Sequence, residues 1–255
     1  MKILVSNDDS VHAHGLKVLA KALSKIGDVT VVAPLEEKST TGHSLTLHKP
    51  LRLLQMSDKM YGVSGSPADC VYVAIQEVLK GKKPDLVVSG INRGANLGQD
   101  VYYSGTVSAA REACILGIPS LAVSLNVDFK KRRPEEELYY QTAAKLAVKV
   151  IRKNGWEELP KYTLLNLNVP DLPSSKIKGI RVSRQGFRHY GGSILKRVDH
   201  RGKPYFWVGG EYKGYTQIRG TDCYEIEKGY ATLTPLELDC TDHGYLERLA
   251  EVWPD

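Results

Sequence analysis

The stretch Lys2-Ile3-Leu4-Val5-Ser6-Asn7-Asp8-Asp9 decides the fold, because a short apolar run ends abruptly in polar residues. Such a run predicts a buried strand, and in α/β sheets ligands bind beyond the carboxyl ends of the strands. A signal peptide would need a longer apolar stretch and a small-residue cleavage site. We therefore expect a cytoplasmic protein whose site begins at the adjacent carboxylates Asp8 and Asp9.

Strand and helix patterns alternate through the rest of the first two thirds of the chain. We predict strands over 3–6, 29–33, 86–89, 121–124 and 164–169, and helices over 16–25, 67–79, 107–116 and 135–153. This alternation predicts an α/β fold with a mostly parallel sheet and helices on both faces.

The segment 180–234 has a different character, rich in Gly, Arg, Tyr and short β-patterns. Turn signals at Gly191-Gly192, Arg201-Gly202 and Gly209-Gly210 predict antiparallel hairpins that project from the body as an arm. Such an arm often serves oligomer contacts. A short amphipathic helix is predicted over 242–252.

Composition narrows the class of partner. The 255 residues are 42% hydrophobic and carry a net charge of +6, which favours anionic ligands such as phosphates. The run Lys130-Lys131-Arg132-Arg133 is interpreted as a solvated loop, so no stable nucleic-acid partner is expected. No apolar run approaches the roughly 18 residues of a membrane span, so no membrane partner is expected either.

Two neighbouring carboxylates at a strand end repel each other by about 4 kcal/mol at about 4 Å and an effective dielectric of about 20. A divalent cation with oxygen ligands, such as Mg²⁺ or Ca²⁺, removes that repulsion. The alternative interpretation of Asp8 and Asp9 is a strand-to-helix turn with a capping side chain.

Two further loops follow predicted strands and would open on the same edge of a parallel sheet. One contains Ser39 and His43, and the other contains Asn92. Hydroxyl and amide oxygens suit a hard cation, although Gly and Asn are also ordinary turn residues. His43 is a further candidate that could donate to phosphate or move a proton. Tyr102, Tyr103 and Tyr190 could stack on a base, although packing in the core or at an interface is the commoner role of such side chains.

The turn Tyr103-Ser104-Gly105-Thr106 leads into a predicted helix. Free N–H groups and the positive end of the helix dipole there could cradle a phosphate, although a plain N-cap at Ser104 or Thr106 is the favoured interpretation of this turn taken alone. No G-x-G-x-x-G, Walker A or G-x-S-x-G motif is present, which disfavours dinucleotide enzymes, P-loop proteins and serine esterases.

Together these residues resemble the SurE family (survival protein E, 5′/3′-nucleotidase). The blocks that carry the likeness run through nearly the whole chain in order: Ser6-Asn7-Asp8-Asp9, Val32-Ala33-Pro34 with Ser39 and Ser44-Leu45-Thr46, Gly65-Ser66-Pro67-Ala68-Asp69-Cys70, Ser89-Gly90-Ile91-Asn92-Arg93-Gly94-Ala95-Asn96-Leu97-Gly98, Tyr103-Ser104-Gly105-Thr106-Val107, Asn166-Leu167-Asn168-Val169-Pro170, Gly220-Thr221-Asp222, and Gly229-Tyr230 through Thr234-Pro235-Leu236.

The resemblance implies a metal-dependent phosphatase that acts on nucleoside 5′- and 3′-monophosphates, some members also trimming polyphosphate. The implied cofactor is one divalent ion, Mg²⁺ or Mn²⁺ first, with Ca²⁺ able to occupy the same site. The implied metal ligands are Asp8, Asp9, Ser39 and Asn92. The implied phosphate contacts are Asn96, Ser104, Gly105 and Thr106.

The implied architecture is a Rossmann-like core with a protruding β-hairpin arm, assembled as a homodimer or homotetramer. We therefore expect a single domain over 1–255, with a core of approximately 1–180 and 230–240, a hairpin-rich extension of approximately 181–229, and a C-terminal helix of approximately 241–252. The family usually has Gly after the Asp pair and Ala-Pro-Gly shortly afterwards, where this chain has Ser10 and Ala13-His14-Gly15.

The predicted reaction is phosphomonoester hydrolysis, with Asp8 and Asp9 as the catalytic residues. Either a metal-activated water or one of these carboxylates is the attacking group. The rival interpretation is a binding module that holds nucleotide or polyphosphate without cleaving it. A second rival, an NAD-type or nucleotide-sugar enzyme on the same class of fold, lacks its glycine fingerprint.

Overall fold

The computed structural model describes residues 1–153 and 155–253, and its centre is a nine-stranded sheet. The strand order is β3-β4-β2-β1-β5-β6-β7-β11-β8. These strands are β1 (Lys2–Ser6), β2 (Asp28–Pro34), β3 (Leu53–Ser57), β4 (Met60–Val63), β5 (Leu86–Arg93), β6 (Ser120–Asn126), β7 (Thr163–Pro170), β8 (Ile180–Val182) and β11 (Ala231–Glu237). The run from β4 to β7 is parallel, while β3 and β11 pair antiparallel with their inner neighbours.

Helices cover both faces of this sheet, which confirms the predicted fold class. They are α1 (His14–Leu23), α2 (Pro67–Val73), α3 (Gly105–Ile115), α4 (Tyr140–Lys153), α5 (Asp222–Glu227) and α6 (His243–Val252). No helix within residues 1–153 and 155–253 combines the length and the apolarity that crossing a bilayer requires.

The first strand shows why the sheet is covered on two sides. Val5 belongs to the core formed with α1 and α4, whereas its neighbour Leu4 belongs to the core formed with α2 and α3. Successive side chains of a strand point to opposite faces, so a strand buried on both faces must be apolar at every position. The unbroken run Ile3-Leu4-Val5 therefore fixes β1 at the middle of the sheet.

Two predicted helices differ from the structure. The helix predicted over 135–153 begins at Tyr140, because Glu135–Glu137 form a separate 3₁₀ turn and Leu138 is extended. The carboxylate of Asp171 accepts the N–H of Tyr139 at 2.8 Å and so provides a hydrogen-bond partner for the backbone just before α4 begins. The helix predicted over 67–79 is α-helical only to Val73 and continues as a π-helix over Ala74–Val78.

The arm is one long antiparallel hairpin of β9 (Arg188–Val198) and β10 (Pro204–Tyr215). Only the Arg201-Gly202 signal marks a turn. The predicted turns at Gly191-Gly192 and Gly209-Gly210 are wrong, because these glycines lie inside the strands and Gly192 pairs with Gly210. The hairpin also takes up a shorter stretch of sequence than the extension expected over 181–229, since β8 joins the main sheet and α5 packs beside β11.

Candidate active site

A pocket of about 900 Å³ opens at the carboxyl ends of the central strands. The chain leaves β1 toward β2 on one side, while β5 flanks β1 on the other, so a crevice forms where the strand order reverses. Six of the eight predicted metal and phosphate contacts line this pocket: Asp8, Asp9, Ser39, Asn92, Asn96 and Ser104.

Asp8 is the buried member of the carboxylate pair, with 4% of its surface exposed. Its Oδ1 accepts a hydrogen bond from the hydroxyl of Thr106, and its carbonyl accepts the N–H of Lys38 at 2.7 Å. Burial raises the pKa of Asp8, and the Thr106 hydrogen bond opposes that rise. Asp8 is therefore a rigidly placed carboxylate whose negative charge lacks full compensation within the chain.

Asp9 is more open to the pocket. Its Oδ2 accepts the N–H of Arg93 at 3.0 Å, while Oδ1 has no hydrogen-bond donor among the residues that the structure describes. Burial, and next the charge of Asp8, raise the pKa of Asp9 to about 7. The two carboxylates thus destabilise each other's ionised forms, as a pair awaiting a counter-charge would.

Ser39 and Asn92 bring neutral oxygens to the same pocket. The Nδ2 of Asn92 donates to the carbonyl of Gly94 at 2.8 Å, which leaves Oδ1 as the group available to a cation. The hydroxyl of Ser39 donates to Glu37 at 2.5 Å, so its oxygen lone pairs remain open. Both side chains are thus oriented to accept, which suits a cation rather than an anion.

The N-terminus of α3 lies directly against Asp8. Ser104 is its N-cap, its Oγ accepting the N–H of Val107 at 3.0 Å, so the capping interpretation is correct for this side chain, which also lines the pocket. A Cβ added to Gly105 would lie 2.7 Å from Cβ of Asp8, so only glycine permits this close approach. With the hydroxyls of Ser104 and Thr106 already engaged, the backbone N–H groups are what this turn offers to an anion.

Asn96 is held in place by polar side chains that the sequence argument left without a role. Its carbonyl accepts from Nδ2 of Asn166 at 2.8 Å and of Asn168 at 2.9 Å, and its N–H donates to Asn168. The Nδ2 of Asn96 donates a hydrogen bond to the hydroxyl of Ser124 at 2.7 Å. The sequence does carry a signal for this polar cluster. Asn166 and Asn168 interrupt the apolar β7 two residues apart, so both side chains face the same side of the sheet.

His43 is not part of the pocket wall. Its Nε2 lies 2.8 Å from Oε2 of Glu112, a buried carboxylate on α3 that requires a partner. The loop is held there because the N–H of Gly42 donates to the carbonyl of Tyr103 at 3.1 Å. His43 therefore lies beside α3 and does not face the pocket where phosphate would bind.

Ser10, which stands where the family usually has glycine, adopts a left-handed backbone with φ of 89°. Its carbonyl accepts from Nδ2 of Asn7 at 2.8 Å and from the N–H of Ala13 at 3.2 Å. These bonds keep the loop after the Asp pair in the conformation that glycine would adopt without strain.

The donor set fits a divalent cation. Within residues 1–153 and 155–253, no group of three or more His, Cys, Asp or Glu side chains could hold a metal ion, so a closed zinc-type cage is not what this pocket offers. Two mutually repelling carboxylates with an amide and a hydroxyl oxygen match the hard oxygen ligands of Mg²⁺ or Mn²⁺, which keep several open positions. Burial and the charge of Asp8 raise the pKa of Asp9 to about 7, so the ionised form of Asp9 would gain from a nearby cation.

Comparisons with known proteins agree on one family. The family model described as "Survival protein SurE" matches residues 3–192. The chain is 47% identical over 249 residues to "5′-nucleotidase SurE" of Geobacter sulfurreducens, covering 98% of this chain and 92% of that protein. It is 46% identical over 252 residues to the protein of the same name from Legionella pneumophila, covering 99% and 97%.

A solved structure extends the agreement to the fold. The crystal structure of the SurE protein from Aquifex aeolicus superposes with a TM-score of 0.85 at 41% identity. The match covers 99% of this chain and 100% of that one, so it includes the hairpin arm as well as the sheet.

Proposed function

Because this chain belongs to the survival protein SurE family, we propose that it is a divalent-metal-dependent nucleotidase that releases phosphate from nucleoside 5′- and 3′-monophosphates. The observation that carries the proposal is the meeting of Asp8, Asp9, Ser39 and Asn92 in one pocket beside the N-terminus of α3. A pure anion binder would gain nothing from two adjacent carboxylates, since they repel phosphate. Carboxylates, cation ligands and a helix N-terminus together suit phosphoryl transfer.

Asp8, Asp9, Ser39 and Asn92 are the residues that would hold the cation. When bound, a divalent cation polarises the phosphoryl oxygen and offsets the charge that develops on it. Asp8 supplies the fixed ligand because Thr106 and α3 restrain it. Asp9 supplies the ligand whose Oδ1 has no hydrogen-bond donor among the described residues.

The remaining phosphate oxygens would be bound by hydrogen-bond donors of this chain. The N–H of Gly105, at the first position of α3, has no intrahelical acceptor and lies at the positive end of the helix dipole. The Nδ2 of Asn96 donates one N–H to the hydroxyl of Ser124, and its second N–H remains to donate to phosphate. These groups would orient the phosphoryl group and stabilise its charge.

The test is phosphate release from AMP and from 3′-AMP with Mg²⁺ or Mn²⁺, with and without EDTA, with polyphosphate as an additional substrate. We expect release from both nucleotides that requires the ion and stops with EDTA. Tight binding of AMP without release in any metal would instead support a non-catalytic binding module.

The apolar surface of the arm supports an oligomer. Large side chains along the hairpin are exposed, among them the cross-strand pair Leu195 at 51% and Trp207 at 63%. Contiguous exposed apolar surface of this kind marks an interaction site, and a second copy is the partner that a homodimer or homotetramer supplies. Light scattering after size exclusion should give a mass of two or four chains.

A cytoplasmic location is also part of the proposal. All four cysteines are free thiols, and Cys70, Cys114 and Cys223 are buried. A reducing compartment suits this state. Fractionation of cells that express a tagged chain should place it with cytoplasmic markers.

A further inference from the structure

The root of the arm is joined to the segment that leads into α3. Gln99 donates to the carbonyl of Arg188 at 2.6 Å and accepts the N–H of Arg188 at 2.8 Å. Next to this pair, Asp222 accepts the N–H of Gly98 at 2.9 Å and that of Gly186 at 2.8 Å. The first residues of β9 are thus attached to the edge of the pocket by both backbone and side chains.

Asp100 binds two side chains of the arm. Its Oδ2 accepts from a guanidinium nitrogen of Arg188 at 2.6 Å and from the hydroxyl of Tyr190 at 2.5 Å. The side chains of Arg188 and Asp100 are only 17% and 18% exposed, so solvent screens their attraction weakly. The guanidinium also stacks over the ring of Tyr212, 4.4 Å from its centroid, which fixes its orientation.

The same residue connects this cluster to the phosphate side of the pocket. The carbonyl of Asp100 accepts the N–H of Tyr103 at 3.0 Å and that of Ser104 at 3.1 Å. Ser104 is the N-cap of α3, so the arm root and the helix N-terminus share one short segment.

The arm contributes part of the pocket wall. Tyr190, Val208, Gly209 and Gly210 line it together with the residues around Asp8 and Asp9. The volume of about 900 Å³ is far larger than a phosphate group needs and lies in the range of pockets that enclose whole small molecules. An aromatic ring in such a wall offers a stacking surface for a nucleobase.

We propose that Asp100, Arg188 and Tyr190 form a latch that holds the arm against the pocket, where the arm binds the base of the substrate. The inference rests on the proposed nucleotidase function and adds to it the part of the chain that distinguishes a nucleotide from a smaller phosphate ester. The three are positioning residues: they set where the base lies, while hydrolysis takes place at the carboxylate pair.

The test compares AMP with ribose 5-phosphate, which has the same phosphate and sugar but no base. Arg188→Met removes the charge pair with Asp100, and we expect the KM for AMP to rise about tenfold, as loss of one charge-assisted hydrogen bond predicts. The kcat for AMP and the KM for ribose 5-phosphate should each change less than about twofold. Arg188→Lys, which can still pair with Asp100, should recover part of the KM for AMP.

Tyr190→Phe is the second variant, since it keeps the ring and removes only the hydroxyl that Asp100 accepts. It should raise the KM for AMP in the same direction, and it tests the latch even if Arg188→Met does not fold. Lys213→Gln is the matched control, because Lys213 forms an exposed ion pair with Glu211 on the same arm, away from the pocket wall. Its kinetic constants should equal those of the parent chain.

An equal rise in KM for AMP and ribose 5-phosphate, or no rise for either, would overturn the latch while leaving the nucleotidase proposal standing. A parent chain that releases phosphate from neither compound in any divalent metal would overturn the proposed function, and the latch would fall with it.

Discussion

The hydroxyl of Thr106 donates a hydrogen bond to Oδ1 of Asp8, although 98 positions separate the two residues in the sequence. Thr106 is fully buried in the first turn of α3, and Asp8 follows β1. The bond therefore joins the helix that would hold phosphate to the carboxylate that would hold the cation. Both parts of the proposed site are fixed relative to each other by one buried contact.

Replacing Thr106 by valine keeps the volume of the side chain and removes the donor. We expect Thr106→Val to lower the free energy of unfolding by about 1–3 kcal/mol, since the buried Asp8 loses a hydrogen bond. It should also raise the pKa of Asp8 further and raise the Mg²⁺ concentration that gives half-maximal phosphate release. Thr106→Ser, which keeps the hydroxyl, is the control and should stay close to the parent chain in both measurements.

A second prediction concerns Gly105, whose added Cβ would lie 2.7 Å from Cβ of Asp8 and 3.1 Å from Pro67. Gly105→Ala must push the helix N-terminus and Asp8 apart, and overpacking of this kind destabilises by about 1–3 kcal/mol. We expect a lower melting temperature and phosphate release reduced at least about tenfold. Gly192→Ala, in the arm but outside the pocket wall, would meet no heavy atom within 4 Å and serves as the control for added volume. Full activity of Gly105→Ala would show that the close approach is unimportant.

Much of the core could be predicted because its signals are local. The buried run before Asp8 and the alternation of strand and helix patterns indicated the parallel sheet and its carboxyl edge, and with them the neighbourhood of Asp8, Asp9, Ser39 and Asn92. A parallel sheet makes its loops converge at one edge, so knowing the strands is enough to bring these loops together.

What could not be predicted depends on contacts between distant segments. The start of α4 depends on Asp171, which accepts the N–H of Tyr139 from 32 positions away. His43 lies beside α3 because the buried Glu112 requires a partner. The glycine pairs of the arm resemble turns in sequence, yet they lie within strands, where Gly192 opposes Gly210 and a Cβ added to Gly210 would lie 3.5 Å from Cβ of Tyr190. Local patterns carry none of this information.

The pH dependence of stability without metal follows from Asp9. Its pKa is raised from 3.8 to about 7 in the folded chain, so the folded state binds a proton more tightly than the unfolded state. The stability that this proton provides is complete below about pH 4 and is lost as the pH rises toward 7. In EDTA, the free energy of unfolding should therefore fall between pH 5 and 7, by at most about 1.4 kcal/mol per pH unit from this group.

Urea unfolding at several pH values in EDTA measures this slope, and Asp9→Asn should flatten it. Adding Mg²⁺ or Mn²⁺ should stabilise the parent chain more at pH 8 than at pH 5, because the ion competes with protons for the carboxylates. A stability that rises from pH 5 to 7 in EDTA would contradict the raised pKa.

Ser10 offers a prediction of opposite sign, since its φ of 89° is strained for a residue with a Cβ. Ser10→Gly should relieve that strain and stabilise the chain by about 1 kcal/mol, after subtraction of the greater freedom of glycine in the unfolded state. The backbone carbonyl of residue 10 keeps its bonds to Asn7 and Ala13. Thermal unfolding measures the effect, and Ser24→Gly, at a residue with φ of −61°, should destabilise instead.

The carboxylate pair gives the sharpest prediction, because its loss should move activity and stability in opposite directions. Asp8→Asn and Asp9→Asn each remove one of two mutually repelling charges and keep the shape of the side chain. In EDTA at pH 8 both variants should therefore unfold at a higher temperature than the parent chain. Both should release no measurable phosphate from AMP, because one charged ligand of the proposed cation is gone.

The response to metal separates this site assignment from simple damage to the fold. Mg²⁺ or Mn²⁺ should raise the melting temperature of the parent chain by mass action and leave that of either variant nearly unchanged. Asp28→Asn, which alters an exposed carboxylate far from the pocket, is the matched control and should keep both the activity and the response to metal. Near-normal phosphate release from both purified Asp8 and Asp9 variants would contradict the site, because these are the two carboxylates that follow β1 at the point where the strand order reverses.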